Sequence, residues 1–412
     1  MNKFQTRSIE KLKNERIIGH VSGKETGPTL VFFGGIHGNE PSGVDALERV
    51  LAQLKGSELQ IKGSIIGIKG NIPALLKKKR FLDDDLNRIW THSGIDEIER
   101  RNHEELSVEE NELILIYQLI ADIFKTEPAP YYFIDFHTTS SPTLPFITIN
   151  DALINREFAR LFPVPVILGI EEYLEGPMLS YINEKGYVAI GFESGQHFTE
   201  EAVTNSISFI WLSLIYAGII DKAEVPDYNK HHKVLSTAAK GNTIFYEIIH
   251  RHQITESDNF KMFPGFSSFD KLPKGITLAN HNGEEITAYK DTIVFMPLYQ
   301  VQGEEGFFLI RPIPLWVLSF SAFLRRIKFD SFLASLPGIS WSNSSKEKLM
   351  VNLKVARFFS KPFFHLLGYR NRMVDQTHLI LYNRERAAKN EMYKDAFWYK
   401  NKTFKRRSFH TS

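Results

Sequence analysis

Residues 31–40 read VFFGGIHGNE: an apolar run stops at two glycines and then sets out a histidine and a glutamate three positions apart. A strand buried on both faces ends this way when its carboxyl end has polar side chains to display. TLVFFGG (29–35), SIIGIKG (64–70), YYFIDFH (131–137) and VAIGFES (188–194) share the pattern of a short apolar run closed by Gly or polar residues. Helical patterns lie between them. Ser107 and Glu110 form an S-x-x-E capping box ahead of LILIYQLIADIF, and 202–220 is apolar enough for a core helix. Strand and helix in alternation predict an α/β fold, a mostly parallel sheet flanked by helices, over residues 1–228.

Residues 229–312 change character. NTIFYEIIH, ITLAN, NGEEITAYK and TIVFMPL are short alternating runs with Asn282-Gly283 as a hairpin turn, which predicts a small β domain. From 313 to 412 follows a basic, aromatic-rich extension, read as helical from WVLSFSAFLRRI and KVARFFSKPFFHLL. The overall charge of +2 conceals an asymmetry: from Trp341 onward 16 Lys/Arg stand against 5 Asp/Glu, so the preceding body is acidic.

Composition removes several classes. With 43% hydrophobic and 24% charged residues the 412-residue chain has material for a large core, and disorder is excluded for most of it. The absence of cysteine excludes disulfides, a thiolate nucleophile and Cys-ligated metal, so any metal is left to His, Asp and Glu. The uncharged apolar stretches 202–220 and 312–324 are too short or too polar to span a bilayer. The charged N-terminus MNKFQTRSIEKLKNER has no signal-peptide core, and a cytoplasmic protein is expected.

In a parallel sheet, ligands bind at the carboxyl ends of the strands. The residues placed there are His37 and Glu40, Asp135 and His137, and Glu193. Two imidazoles and a carboxylate on one rim make the His₂Glu set of a catalytic zinc centre, one Zn²⁺ per chain. Glu193 remains as a carboxylate able to take a proton from water. Asp135, two residues from His137, shares its face of the strand and can orient it. His197, just beyond Glu193, is a candidate to approach a substrate; the pairs His231/His232 and His250/His252 have no acidic companions at ligand spacing and read as structural or surface residues. RFLDDDLNR (80–88) is either a solvated charged loop or a set, Arg80, Asp85, Asn87 and Arg88, that grips a carboxylate and polarises a carbonyl.

HGNE, R-x-x-x-x-DLNR, D-x-H and G-x-E-x-G in this order resemble the succinylglutamate desuccinylase/aspartoacylase family, relatives of the zinc carboxypeptidases, over about residues 28–312. The resemblance implies that His37, Glu40 and His137 bind zinc, that Glu193 is the general base, that Arg80 stabilises the carbonyl oxyanion, and that Asn87 and Arg88 hold a substrate carboxylate. It implies hydrolysis of the amide of a small N-acyl amino acid. Two departures accompany it: Asn183 stands where aspartoacylases carry an arginine for the acidic side chain, and GEEGFFLIRP offers no clear counterpart of their late tyrosine, Phe307 and Phe308 standing nearby.

Nothing in the resemblance reaches residues 313–412. Their composition suits an appendage packed on its own body or on another subunit of a homo-oligomer, a peripheral membrane contact, or a protein contact; no nucleic-acid partner is expected, and the expected ligand is a small N-acyl amino acid. The alternatives to a zinc amidohydrolase are a carboxypeptidase-like peptidase and an inactive metal-binding body that serves the extension.

Overall fold

The computed structural model describes residues 13–225, 227–342, 348–352, 366–373 and 378–400. Eighteen strands occur among these residues. In chain order they are β1 (Ile17–Ser22), β2 (Glu25–Gly34), β3 (Lys62–Lys69), β4 (Tyr131–Thr139), β5 (Phe146–Ile149), β6 (Val166–Leu168), β7 (Val188–Gln196), β8 (Phe245–Gln253), β9 (Phe260–Met262), β10 (Lys271–Leu272), β11 (Thr277–His281), β12 (Glu284–Thr287), β13 (Thr292–Phe295), β14 (Glu305–Pro312), β15 (Ile339–Trp341), β16 (Lys348–Asn352), β17 (Tyr369–Met373) and β18 (His378–Asn383). The main sheet has eleven strands in the order β1-β3-β2-β4-β7-β5-β6-β8-β14-β13-β10. Its centre is parallel: β2 pairs with β3 and β4, and β4 with β7, all in the same direction.

The apolar runs are unbroken because alternate residues serve two different layers. Leu30 and Phe32 of β2, Tyr132, Ile134 and Phe136 of β4, and Val188, Ile190 and Phe192 of β7 point into one core. Val31 and Phe33, Phe133, and Ala189 point into the other. Helices α1 (Ser42–Lys55) and α5 (Glu200–Ala217) cover the first face, and α2 (Val108–Thr126) and α4 (Met178–Glu184) the second; α3 (Leu153–Ala159) packs with the first. The capping box is present: Ser107 accepts from the Glu110 N–H and Glu110 accepts from the Ser107 N–H. This two-sided, mostly parallel sheet is the α/β architecture expected from the sequence.

The β-rich segment grows out of the same sheet. β8 lies parallel to β6 and passes the sheet on to β14, β13 and β10, while only β9, β11 and β12 form a separate three-stranded sheet. Asn282 and Gly283, with φ of 54° and 90°, make the β11–β12 turn that the Asn-Gly pair predicts.

The extension differs from a helical appendage. WVLSFSAFLRRI does form a helix, α6 (Leu315–Arg326), but the segment also contributes the antiparallel sheet β15-β16-β18-β17 around its own core of Leu324, Leu349, Val351, Tyr369 and Leu381. Most of KVARFFSKPFFHLL lies outside the described residues. The end of the extension then returns to the body. Tyr393 is fully buried; its hydroxyl donates to the Tyr131 carbonyl at 2.6 Å and accepts from the Val188 N–H at 2.9 Å. It therefore bridges the starts of β4 and β7, the strands that carry His137 and Glu193. Trp398, 1% exposed, packs beside it against Tyr132 and Phe158. Arg325 of α6, with no exposed side-chain surface, is held by Asp151 at 2.7 Å and Glu385 at 3.0 Å.

These contacts make the extension part of the core. Tyr393→Phe leaves the Val188 N–H buried and unpaired and should cost roughly 1–3 kcal/mol; Trp398→Ala should cost roughly 3–5 kcal/mol. Removal of residues 313–412 should abolish stable folding. Urea unfolding of the two point variants, and the soluble yield and thermal transition of the truncated chain, check these values.

Candidate active site

The turn that follows β2 depends on two glycines. Gly35 has φ of 73°, and a Cβ on Gly38 would stand 2.1 Å from the Ala74 carbonyl carbon. The Gly38 N–H donates to the Arg80 carbonyl at 3.1 Å, so HGNE is stitched directly to the segment that begins the DLNR loop. On the other side, the β4–β7 register pairs His137 with Glu193. Strand ends and loop thus deliver His37, Glu40, Arg80, Asn87, Arg88, His137 and Glu193 to the lining of one cavity of about 130 Å³.

Glu40 is 2% exposed and lies between the two imidazoles. Its Oε1 is 3.0 Å from His37 Nδ1 and its Oε2 is 3.1 Å from His137 Nδ1. Each ring is held from behind by a carboxylate: His37 Nε2 lies 3.1 Å from Asp85 Oδ1 and His137 Nε2 lies 2.7 Å from Asp135 Oδ2. A carboxylate at Nε2 keeps a proton on that nitrogen, which leaves Nδ1 of each neutral ring as a lone-pair donor. Both Nδ1 atoms then converge with the Glu40 carboxylate, and one ligand atom from each residue lies within 4.8 Å of the others. Two nitrogen donors and an oxygen with carboxylates behind both rings fit zinc.

The charges describe the proton-bound form of the same group, in which the Nδ1 atoms donate to Glu40 and protons stand where a metal would. Burial alone would raise Glu40, but the His37 charge and hydrogen bonds from both histidines hold it well below the usual carboxylate range. Burial would lower His137, yet Asp135 and Glu40 hold it well above the ordinary imidazole value. Asp85, which burial would raise, is held down chiefly by Arg80 and then by His37. Arg80 donates from Nε and Nη2 to Asp85 at 3.1 and 2.9 Å and reaches Glu40 at 3.5 Å.

Glu193 is the exception. It is 7% exposed, its Oε2 is buried with no partner, and burial pushes its carboxyl up to about 8, with Glu40 raising it and His137 opposing. A carboxyl poised near neutrality beside a ligand set is equipped to accept and return a proton.

Asn87 and Arg88 are placed differently from a free clamp. Asn87 Oδ1 accepts from the Met178 N–H at 2.9 Å, so the donor end of the amide is the one left for a ligand. Arg88 Nη2 lies 3.3 Å from Glu305, which also lines the cavity. His197 stands one layer back, its Nδ1 2.6 Å from Thr138 Oγ1 and its Nε2 3.1 Å from Gln300 Oε1. His250 and His252 are partly buried in β8, and His252 meets His281, which in turn meets Asp258; among the described residues these form no metal-ligating group. Sequence reasoning missed Thr138, Gln300 and Glu305. Thr138 adjoins His137 and its N–H donates to Glu40 at 2.9 Å, but no local pattern marks the other two.

Fold and site together define a mostly parallel α/β sheet flanked by helices with a buried His-Glu-His group at the strand ends. Residues 26–207 match the succinylglutamate desuccinylase/aspartoacylase catalytic domain, the family that the four motifs resemble. The succinylglutamate desuccinylase of Photorhabdus laumondii is 38% identical over 76 residues, 18% of this chain and 23% of that one. That of Pseudoalteromonas atlantica is 26% identical over 118 residues, 28% of this chain and 32% of that one. The chain therefore matches these relatives over less than a third of their length. Among solved structures, a succinylglutamate desuccinylase/aspartoacylase from Rhodobacter sphaeroides superposes with TM-score 0.53 at 17% identity, over 72% of this chain and 88% of that one. The product-bound ectoine utilization protein of Ruegeria pomeroyi gives TM-score 0.51 at 17% identity, over 72% and 88%. These likenesses establish the fold.

The raised Glu193 carboxyl makes a prediction about stability. Folding raises its proton affinity above that of the unfolded chain, so its contribution is complete below the ordinary carboxylate range and is lost as pH rises toward about 8. With chelator present, Glu193→Gln should therefore gain stability relative to the parent between pH 5 and 8, and the gap should level off above that. Urea unfolding at pH 5, 7 and 9 measures it; a gap independent of pH would contradict the assignment.

Proposed function

We propose that the chain is a zinc-dependent amidohydrolase that deacylates a small N-acyl amino acid bearing a free carboxylate. The observation that supports this most strongly is Glu193, a buried carboxyl with an unpartnered oxygen and a proton affinity near neutrality, in the same small cavity as His37, Glu40 and His137. The relatives are named as desuccinylases and aspartoacylases, enzymes that release an acyl group from an amino acid. They are not named as peptidases, which ranks the peptidase reading second.

Zinc held by His37, Glu40 and His137 would lower the pKa of a bound water to about 7 and polarise the scissile carbonyl. The chain's own residues supply the rest. Arg88 and the donor end of Asn87 take the substrate carboxylate and fix its distance from the reacting carbon. Arg80, fully charged and held by Asp85, presents its guanidinium to the oxygen on which negative charge develops. Glu193 accepts a proton from the attacking water as the carbon–oxygen bond forms. It returns that proton to the amide nitrogen as the carbon–nitrogen bond breaks, so the products are a carboxylate and an amino acid.

Turnover of a panel of N-acyl amino acids by zinc-loaded protein tests the proposal. Glu193→Gln should retain the metal and lose roughly 10²- to 10⁴-fold in kcat; near-normal turnover would overturn the role of Glu193, and no turnover of any member would favour an inactive metal-binding body.

We propose further that α6 lies on an anionic membrane surface. Trp316, Phe320, Phe323 and Ile327 are 70%, 48%, 57% and 53% exposed at helical spacing, and Phe332 adds 60%. Between Arg311 and Phe332 the exposed charged side chains are Arg311, Arg326 and Lys328, all cations, although Glu247 and Glu157 engage the first two. An aromatic stripe edged with positive charge suits the interface of a bilayer. No helix among the described residues is long and apolar enough to cross one. Sedimentation with phosphatidylserine vesicles should fall several-fold on Trp316→Ser/Phe320→Ser, and unchanged sedimentation would sink this reading.

A further inference from the structure

The proposed deacylation gives Arg88 a substrate carboxylate to hold, yet the protein already supplies a carboxylate there. Glu305, at the first position of β14, accepts from Arg88 Nη2 at 3.4 Å through Oε1 and at 3.3 Å through Oε2. Arg251 of β8 grips the same group from behind: its Nη2 donates to Glu305 Oε1 at 3.0 Å, while its Nη1 donates to the Tyr173 carbonyl at 2.7 Å. The Glu305 side chain is 12% exposed and lines the cavity; those of Arg88 and Arg251 are 15% and 16% exposed. The Nε atoms of both arginines are buried without a partner.

Arg251 Nη2 also lies 3.8 Å from Glu304, but that side chain is 62% exposed and screened by water, so within the cavity wall two guanidiniums around one buried carboxylate leave a single net positive charge. One substrate carboxylate brought to Arg88 completes a neutral set of two cations and two anions. A second one meets Glu305, a fixed like charge in a largely water-excluded wall where repulsion is poorly screened. Among the described residues of the lining the other cations are already engaged, Arg80 by Asp85 and Glu40 and His137 by Asp135 and Glu40.

We propose that Glu305 sets the charge selectivity of the cavity: it stands in for a substrate's second acidic group, so the site accepts N-acyl amino acids with one carboxylate and a neutral side chain and rejects dicarboxylic ones. This inference rests on the deacylase reading and specifies its substrate class. The fixed charge of Glu305 repels the acidic competitor and leaves the neutral one unopposed.

N-acetylasparagine and N-acetylaspartate form a matched pair that differs in the side-chain charge at nearly constant size. The zinc-loaded full-length protein should favour N-acetylasparagine at least tenfold in kcat/KM, and Glu305→Gln should shift that ratio ten- to a hundredfold toward N-acetylaspartate. A residue that only positions Arg88 would depress both substrates together and leave the ratio fixed. Equilibrium binding of the same two compounds to Glu193→Gln and to Glu193→Gln/Glu305→Gln gives the ratio without turnover. If the parent hydrolyses neither compound, the deacylase reading is what fails, and the binding ratio still decides the selectivity. A parent that prefers N-acetylaspartate, or a ratio unmoved by Glu305→Gln in both measurements, overturns the proposal.

Discussion

The carboxylate of Glu40 is the constraint on which the rest of the site depends. An ionised carboxylate at 2% exposure is tolerated only with compensating charge and hydrogen bonds. His37, His137, the Thr138 N–H and the more distant Arg80 supply them, from three segments: the turn after β2, the end of β4 and the loop that begins at Arg80. The two histidines are fixed in turn by Asp85 and Asp135, which ties the DLNR loop to the carboxyl ends of β2 and β4. A rotation of either ring breaks contacts on both of its nitrogens, so the donor set is rigid before any ligand arrives. That rigidity is what a metal-ligating and proton-transferring centre requires.

The same strands carry a load at their other ends. Tyr393 is hydrogen-bonded to the first residues of both β4 and β7, and Trp398 fills the core beneath them. A second tie runs closer to the cavity: Arg384 pairs at 2.7 Å with Glu171, which lines it. The basic extension therefore serves in large part as a structural strap packed on its own body. What it leaves exposed is the aromatic stripe of α6 and the cations around it.

The α/β body was legible in the sequence for a specific reason. Buried parallel strands read as unbroken apolar runs, and the polar residues that end them must sit together on one rim, so HGNE, DFH and FES could be assigned to one site without any knowledge of contacts. The Asn282-Gly283 turn was legible for the same local reason. Features made by long-range pairing were not. Glu305 is 217 residues from Arg88, and nothing in GEEGFF distinguishes a wall of the cavity from an exposed acidic turn. Tyr393 lies 262 residues from Tyr131 in a segment whose charge suggested a surface. The sheet β15-β16-β18-β17 leaves no signature in the sequence, because its short strands have no clean apolar alternation. For His197, the sequence neighbour Glu193 does not reveal that Thr138 and Gln300 hold its two ring nitrogens.

The account stands or falls on whether the His37–Glu40–His137 group holds a metal. A calorimetric titration of chelator-stripped full-length protein with zinc addresses this without any assumption about substrate. One tight site per chain is predicted, lost on His137→Ala and on Glu40→Gln while far-ultraviolet circular dichroism stays that of the folded parent. Absence of a tight site in the parent, or undiminished binding in both variants, would contradict it.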